Sequence, residues 1–314
     1  MTSMNTDSPT VFSSLAPQTI RRAVTDGTQR LAAGGIDSAR LDAEVLMCHA
    51  LRVEKSHFYI SRDEPLEHSA GYRFSDFLIR RLCREPVAYI TGRQEFWSLD
   101  FVVAPEVLIP RPETERLVEI SLECAGAFDS DLPLRILDIG TGSGAIAVSL
   151  AKELPRAQIL ATDVSLPALE IARRNAAYHR VADRIQCRAS DLFDTVGEHR
   201  FHLIVSNPPY IGRGELVGLA PEISQWEPRI ALDGGFDGLD SYRGIVARAF
   251  RHLLPGGALI VEIGAAMRRA VTELFTGAGN YTPPMVYQDY ARRERVIVAH
   301  RLAAGMPTSA WSLS

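Results

Sequence analysis

Long apolar runs are missing from this sequence: no stretch reaches the roughly twenty residues that cross a bilayer, so no membrane span is expected. Cysteine is scarce too. Cys48, Cys83, Cys124 and Cys187 lie more than thirty residues apart, which excludes the paired spacing that closes a zinc site and leaves four thiols expected to be buried. The eight histidines contain no His-Glu-x-x-His pattern, and His199 and His202, three apart, are read as surface residues in a polar turn before a strand. No metal is expected. An excess of positive charge is also absent: the net charge of −4 argues against direct binding of nucleic acid, which depends on Lys and Arg neutralising phosphates. Met1 to Thr10 lacks the basic patch and apolar core of a secretory signal, although it is rich in Ser and Thr like some organelle transit peptides. A cytoplasmic location is the expectation. There is no internal repeat.

What is present is an ordinary globular composition, 46% hydrophobic and 23% charged over 314 residues, long enough for one large domain and a smaller one. From Ile20 to Ala33 apolar residues recur at helical spacing, and Gly34-Gly35 can end that helix in the left-handed conformation. Asp37 or Ser38 can cap a second helix in which Leu41, Val45, Leu46 and Leu51 form one stripe, and a third spans about Glu67 to Cys83, ahead of Pro86. The first 90 residues therefore read as a helical bundle. Eleven acidic residues balance eleven basic ones there, so the Arg80, Arg81, Arg84 cluster reads as a solvated helix face.

Between Tyr89 and Val103 the pattern becomes that of a short β-hairpin, with Glu95-Phe-Trp97 and Phe101-Val-Val103 flanking a Ser98-Leu-Asp100 turn. Ile109-Pro-Arg-Pro-Glu-Thr-Glu115 then fixes an extended entry into a helix running towards Cys124, and Asp129 to Pro133 is a polar break. Beyond it strands and helices alternate: Leu134 to Ile139, Gly144 to Leu154, Ile159 to Asp163, Pro167 to Tyr178, Ile185 to Ala189 and Phe201 to Ser206. Alternation of this kind means a parallel sheet covered by helices. After a fifth strand at Ala258 to Ile263 and another helix, Met285 to Asp289 and Arg295 to His300 are separated by five residues, too few for a crossover helix. That last pair must be antiparallel. The predicted fold is an α/β doubly wound sheet, parallel with an antiparallel last strand, preceded by a small helical bundle. The divisions are residues 1–90 as the helical domain, 91–110 as the hairpin linker, 111–304 as the catalytic domain, and 305–314 as a loose tail.

Asp138-Ile-Gly140-Thr141-Gly142-Ser143-Gly144-Ala145 follows the first sheet strand and opens a helix. Glycines let this backbone turn sharply and approach a ligand, and the helix start offers unpaired N–H groups to an anion. The loop alone also fits a dinucleotide fingerprint. Asp138, directly before it, suits the ammonium of an amino acid cofactor and would repel a pyrophosphate, and the antiparallel finish of the sheet points the same way. Asp163 ends the second strand, where its carboxylate can accept from both ribose hydroxyls of either cofactor. Asp191, after the third strand, can accept the adenine amino hydrogens or cap a turn, and Leu192 can cover a ring face.

Ser206-Asn207-Pro208-Pro209-Tyr210 lies at the carboxyl end of the fourth strand, next to the first, where strand order reverses and ligands bind. An NH2 group carries two hydrogens, which a carboxamide oxygen and a backbone carbonyl can both accept while prolines hold the acceptors still. The nitrogen lone pair can then turn towards a methyl donor, with Tyr210 stacked on the flat substrate group. Asn207, Pro208 and Tyr210 are thus the catalytic candidates. No strong base is required.

These residues resemble the release factor glutamine methyltransferase family, called PrmC or HemK, over nearly the full length. The similarity covers the helical front, Glu85-Pro-Val-Ala-Tyr-Ile-Thr-Gly92, the hairpin with Phe96-Trp97, Ile109 to Glu115, the glycine loop, Asn207-Pro-Pro-Tyr210, and Glu227-Pro-Arg-Ile-Ala-Leu-Asp-Gly-Gly235. The resemblance implies a class I fold, S-adenosyl-L-methionine held by Gly140 to Gly144, Asp163, Leu192 and Asn207, and a substrate glutamine held by Asn207 to Tyr210. That glutamine belongs to the Gly-Gly-Gln tip of a peptide chain release factor. Family members often carry tryptophan where this chain has Leu192, so weaker adenine stacking is expected here. Arg111 and Glu113 either line the same cleft or merely join two domains. A monomer is expected. The competing readings are a DNA adenine N6-methyltransferase, disfavoured by the neutral front domain, a nonenzymatic nucleotide-binding adaptor, disfavoured by the intact Asn207 motif, and a dehydrogenase.

Overall fold

Thr19 opens the first helix because its extended backbone leaves the side-chain oxygen free to accept the Arg22 N–H at 3.3 Å, which supplies one of the bonds a helix start lacks. The computed structural model describes residues 18–128 and 132–302, and within these limits the chain forms two units, divided between Thr91 and Gly92. The expected amino-terminal stretch, the tail at 305–314 and most of the polar break at Asp129 to Pro133 lie outside the described residues.

The first unit consists of five helices, α1 (Ile20–Ala33), α2 (Ala39–Leu51), α3 (Lys55–Ser61), α4 (His68–Leu82) and α5 (Val87–Thr91). Leu31, Leu46, Met47 and Leu78 are fully buried in their shared core. At about 25 cal/mol per Å² of apolar surface, each such side chain contributes roughly 1.5 to 3 kcal/mol. A buried ion pair crosses this core, with Arg81 Nε donating to Asp42 Oδ2 at 2.7 Å. Two corrections to the sequence reading arise here. Leu41 is 53% exposed and stands off the buried stripe, because α2 turns Asp42, Ala43, Leu46 and Met47 inward instead. Arg81 is buried against Asp42, so only part of the Arg80, Arg81, Arg84 cluster is a solvated face.

The second unit begins with the hairpin β1 (Arg93–Phe96) and β2 (Leu99–Val102), whose connection is Trp97-Ser98, both residues with φ of 55°. The turn was expected at Ser98 to Asp100. Two consecutive left-handed residues match the twist of a tight hairpin, and they pair Asp100 with Glu95 inside the ladder. Asn175 fastens this hairpin to the sheet domain, accepting from the Val102 N–H at 2.8 Å and donating to the Val102 carbonyl at 3.0 Å. A single turn at Pro112–Thr114 leads into α6 (Glu115–Ala125).

There follow β3 (Leu134–Ile139), α7 (Ala145–Glu153), β4 (Ala157–Asp163), α8 (Leu166–Tyr178), β5 (Ile185–Ala189), β6 (Phe201–Ser206), α9 (Pro221–Ser224), α10 (Asp240–His252), β7 (Leu253–Glu262), α11 (Arg268–Ala278), β8 (Met285–Gln288) and β9 (Glu294–His300). The strands stand in the order β5-β4-β3-β6-β7-β9-β8, parallel as far as β7, with β9 antiparallel to both of its neighbours. The expected α/β doubly wound sheet with an antiparallel finish is therefore present. Apolar side chains cover both of its faces, as a sheet buried between helix layers requires. The reversal of strand order falls between β3 and β6, which pair Ile139 with Ser206 at their carboxyl ends.

The cysteines do not match expectation: Cys83 is exposed and the other three are half-buried. His202 is likewise not a turn residue. It lies within β6, where its Nδ1 accepts the Arg135 N–H at 2.9 Å and its ring meets Phe128 edge-on. Among the described residues no helix is long and apolar enough to cross a membrane.

Candidate active site

Asp138 is the last but one residue of β3 and is wholly buried. One carboxylate oxygen accepts the Thr141 hydroxyl at 2.6 Å, while Oδ1 has no partner among the described residues. Burial drives its carboxyl up to about 7, the charge of Asp163 adds to the rise, and the Thr141 hydroxyl and the Ala147 N–H oppose it. An unsatisfied buried oxygen at this point calls for a donor, and a cationic one would also relieve the ionisation cost.

The loop beyond it turns through Gly140, Gly142 and Gly144 with φ of 71°, 55° and 80°, conformations that side chains with a Cβ rarely adopt. The Gly140 and Thr141 N–H groups bond back to the Thr162 carbonyl at 2.8 and 2.9 Å, and Ser143, which is buried, accepts Asn175 through its carbonyl at 2.8 Å. The cradle is thus braced from behind, while open space lies where a Cβ on Gly140 or Gly142 would point. Asp163, at the tip of β4, accepts the Gly142 N–H at 2.9 Å and the Ser165 N–H at 2.9 Å, so loop and strand tip are held as one surface. Burial raises its carboxyl, against the pull of the Ser165, Gly142 and Val164 amides.

Asp191 is exposed, and its carbonyl accepts the Asp194 N–H in a turn at 3.0 Å. Leu192 is half-buried, with φ of 47°, and packs on the core under β6 and β7. An open glycine cradle, an orphaned acid at one end and a strand-tip acid at the other fit a cofactor with an amino acid end and a nucleoside end.

Ser206, buried at the end of β6, donates to the Ile139 carbonyl at 2.8 Å and draws the next four residues towards the loop after β3. Asn207 is half-buried, Pro208 is buried, and Pro209 and Tyr210 are half-buried. This segment lies against the loop at Leu232 to Gly238, with the Ile211 N–H donating to the Leu232 carbonyl at 3.0 Å. A Cβ on Gly234 would come within 2.8 Å of the Pro209 oxygen and of Tyr210 Cα, so glycine is required for so close an approach. Burial raises the Tyr210 hydroxyl, with Glu262 adding to the rise and Arg295 and Arg111 opposing it.

Arg111 donates to Glu227 at 2.5 Å, and that carboxylate is almost wholly buried. Its carboxyl is raised by burial and restrained by Arg111. Glu113 is exposed, though close enough for its charge to be felt at Tyr210 and Glu262. The structure also gathers residues for which the sequence offered no role: Thr114 and Glu262, 4% and 1% exposed, lie directly behind Asn207. A buried glutamate ending an apolar strand was the available signal.

Known proteins carry the same organisation. Residues 22–92 match the model of the PrmC N-terminal domain, and residues 125–220 match that of the methyltransferase small domain. A release factor glutamine methyltransferase of Cereibacter sphaeroides is 46% identical over 275 residues, covering 88% of this chain and 96% of that one. A protein of the same description from Moorella thermoacetica is 43% identical over 283 residues, covering 90% and 99%. Among solved structures, the hMettl16 catalytic domain in complex with a MAT2A 3'UTR hairpin superposes with a TM-score of 0.55 at 17% identity, covering 72% of this chain and 83% of that one, a likeness of fold alone. Identity of this degree along nearly the whole of such relatives, with both the helical front and the sheet domain matched, places the chain in the release factor glutamine methyltransferase family.

Proposed function

We propose that this chain transfers the methyl group of S-adenosyl-L-methionine to the side-chain amide nitrogen of the glutamine in the Gly-Gly-Gln motif of peptide chain release factors. The observation that carries this reading is the position of Asn207, a half-buried carboxamide at the carboxyl end of β6, beside the loop after β3 and anchored from behind. When bound, the cofactor supplies a methyl group on a cationic sulfonium. The Gly140 to Gly144 cradle holds its amino acid end, with Asp138 taking the ammonium, Asp163 accepts from the ribose, and Leu192 and Asp191 meet the adenine.

Asn207 Oδ1 and the Pro208 carbonyl each accept one hydrogen of the glutamine NH2, which turns the nitrogen lone pair towards the methyl carbon. Tyr210 stacks on the amide plane. Methyl transfer would form an N–C bond as the S–C bond breaks, with the surplus amide proton passing to water, so fixed dipoles in the cleft would stabilise the dispersing positive charge and no strong base is needed. Arg111, fixed by Glu227, borders the cleft and meets the substrate backbone, with Glu113 at its rim.

The helical unit, which lacks a glycine cradle, docks the release factor, and its exposed Ile60, Tyr72 and Ile79 supply apolar contact area. The enzyme acts as a monomer in the cytoplasm. The test is mass spectrometry of intact release factors after incubation with isotopically labelled S-adenosylmethionine. A labelled methyl group on the Gly-Gly-Gln glutamine is expected. Label only in DNA adenine, or in no substrate, would overturn the reading.

A further inference from the structure

Behind the Asn207 carboxamide lies a short chain of buried polar groups. Asn207 Nδ2 donates to Thr114 Oγ1 at 3.1 Å, and the Thr114 hydroxyl stands close enough to the carboxylate of Glu262, at the end of β7, to favour its ionised form. Both supporting groups are almost fully buried, Thr114 at 4% and Glu262 at 1% exposure. The second glutamate oxygen, Oε2, has no partner among the described residues. Burial raises the Glu262 carboxyl to about 7, Arg295 and Arg111 favour its ionised form and Glu113 opposes it, so at pH 8 it is mostly ionised; Tyr242 bonds only to its backbone carbonyl, at 2.7 Å.

The polarity of this chain follows from counting protons. A threonine hydroxyl has one hydrogen, and an ionised carboxylate can only accept. The hydroxyl hydrogen therefore goes to Glu262, and the oxygen turns a lone pair to Asn207. Only the NH2 end of a carboxamide can meet a lone pair, so Asn207 Oδ1 is committed to the side away from Thr114. Were the carboxamide reversed, its NH2 would face the NH2 of an incoming amide, donor against donor.

We infer that Thr114 is a positioning residue for methyl transfer: clamped by Glu262, its hydroxyl sets the polarity of Asn207 so that the carboxamide oxygen is presented to the substrate nitrogen. The inference rests on the reading of Asn207 as the acceptor for the glutamine amide. It also gives the Ile109 to Glu115 segment a part in the chemistry, since the turn that starts α6 delivers Thr114 beneath β6.

The test compares Thr114→Val, Thr114→Ser, Glu262→Gln, Asn207→Ala and Thr114→Val with Asn207→Ala, all in the full chain at pH 8. Single-turnover rates, KM for a release factor, S-adenosylmethionine affinity and melting curves are measured. Losing the oriented acceptor outright costs about a hundredfold, so misorienting it should cost about tenfold. Thr114→Val, which keeps the shape and removes the hydroxyl, is expected to slow transfer by about that factor with cofactor affinity unchanged. Thr114→Ser should restore the rate, and the double variant should be no slower than Asn207→Ala. Glu262→Gln can present either end to Thr114 and should lose rate without losing cofactor affinity, and it carries the test should Thr114→Val fail to fold. Equal impairment of Thr114→Ser and Thr114→Val would make the residue a packing element and overturn the inference. A normal rate in Thr114→Val beside an inactive Asn207→Ala would overturn it while leaving the acceptor reading standing. Activity in Asn207→Ala would remove the acceptor reading itself.

Discussion

Replacing Asp138 with asparagine should make the protein more stable and a worse binder of its cofactor. The side chain is completely buried and one of its oxygens has no partner among the described residues, so ionising it without a cationic partner costs free energy. Its carboxyl stands at about 7 in the folded protein against 3.8 in the reference state. Between those values the native chain holds a proton that the unfolded chain has released, so its contribution to stability is fully present below about pH 4 and is lost as pH rises through 7. A shift of this size corresponds to about 4 kcal/mol at pH 8 as an upper bound, at roughly 1.4 kcal/mol per pKa unit.

Asparagine keeps the shape and an acceptor for Thr141 but cannot ionise. Asp138→Asn is therefore expected to raise the unfolding free energy by about 1 to 3 kcal/mol at pH 8 and by less than half as much at pH 5, read from guanidinium melts at both values. Glu262 also stands at about 7, but it is present in both proteins and cancels in the difference. The same change removes the charged partner proposed for the cofactor ammonium, worth roughly 1.5 to 3 kcal/mol, so calorimetric affinity for S-adenosylmethionine should fall by a factor of ten or more at pH 8. For the natural protein affinity should rise from pH 6 to 8, and the variant should lose that dependence. A variant as stable as the parent at pH 8 and equally good at binding cofactor would refute the reasoning.

Asp163→Ala should weaken S-adenosylmethionine binding by roughly 1.5 to 3 kcal/mol, because the ribose loses a charged acceptor while the Gly142 and Ser165 amides lose theirs. Unchanged affinity by titration calorimetry would move the ribose elsewhere. Asn207→Ala should cut single-turnover methyl transfer by a hundredfold or so with a much smaller loss of cofactor affinity. Near-normal turnover in a variant with a native circular dichroism spectrum would sink the mechanism. In the helical unit, Asp42→Ala removes the charged partner of the buried Arg81 and should destabilise that unit by roughly 3 to 5 kcal/mol in a denaturant melt, and cofactor affinity should be retained. A loss of less than about 1 kcal/mol would show that the Glu85 carbonyl and other acceptors satisfy Arg81 once Asp42 is gone.

Much of the sheet domain was legible because its signals are local. The strands from Leu134, Ile185 and Phe201 occupy the residues their apolar runs indicated, the short link between β8 and β9 required antiparallel pairing, and the glycine spacing after Asp138 indicated the tight turn that Gly140, Gly142 and Gly144 make at positive φ. The errors arose where a neighbour distant in sequence decides the outcome. Leu41 faces solvent because α2 presents a different stripe to its partners, and the hairpin turns at Trp97-Ser98 because the ladder pairing, and no Asn-Gly signal, fixes the register. Helices α3 and α5 are too short for periodicity to declare them.

By itself the sequence determined the class of the fold, the cradle at Gly140 to Gly144 and the Asn207 to Tyr210 segment, since each depends on residue types at fixed spacing along one stretch of chain. Only the tertiary structure decided what stands behind them. Thr114 comes from the start of α6 and Glu262 from the tip of β7, and neither resembles a functional residue in its own segment. They meet Asn207 because β6 lies between β3 and β7, with α6 packed against it, and that adjacency is a property of strand order and burial that no local pattern records.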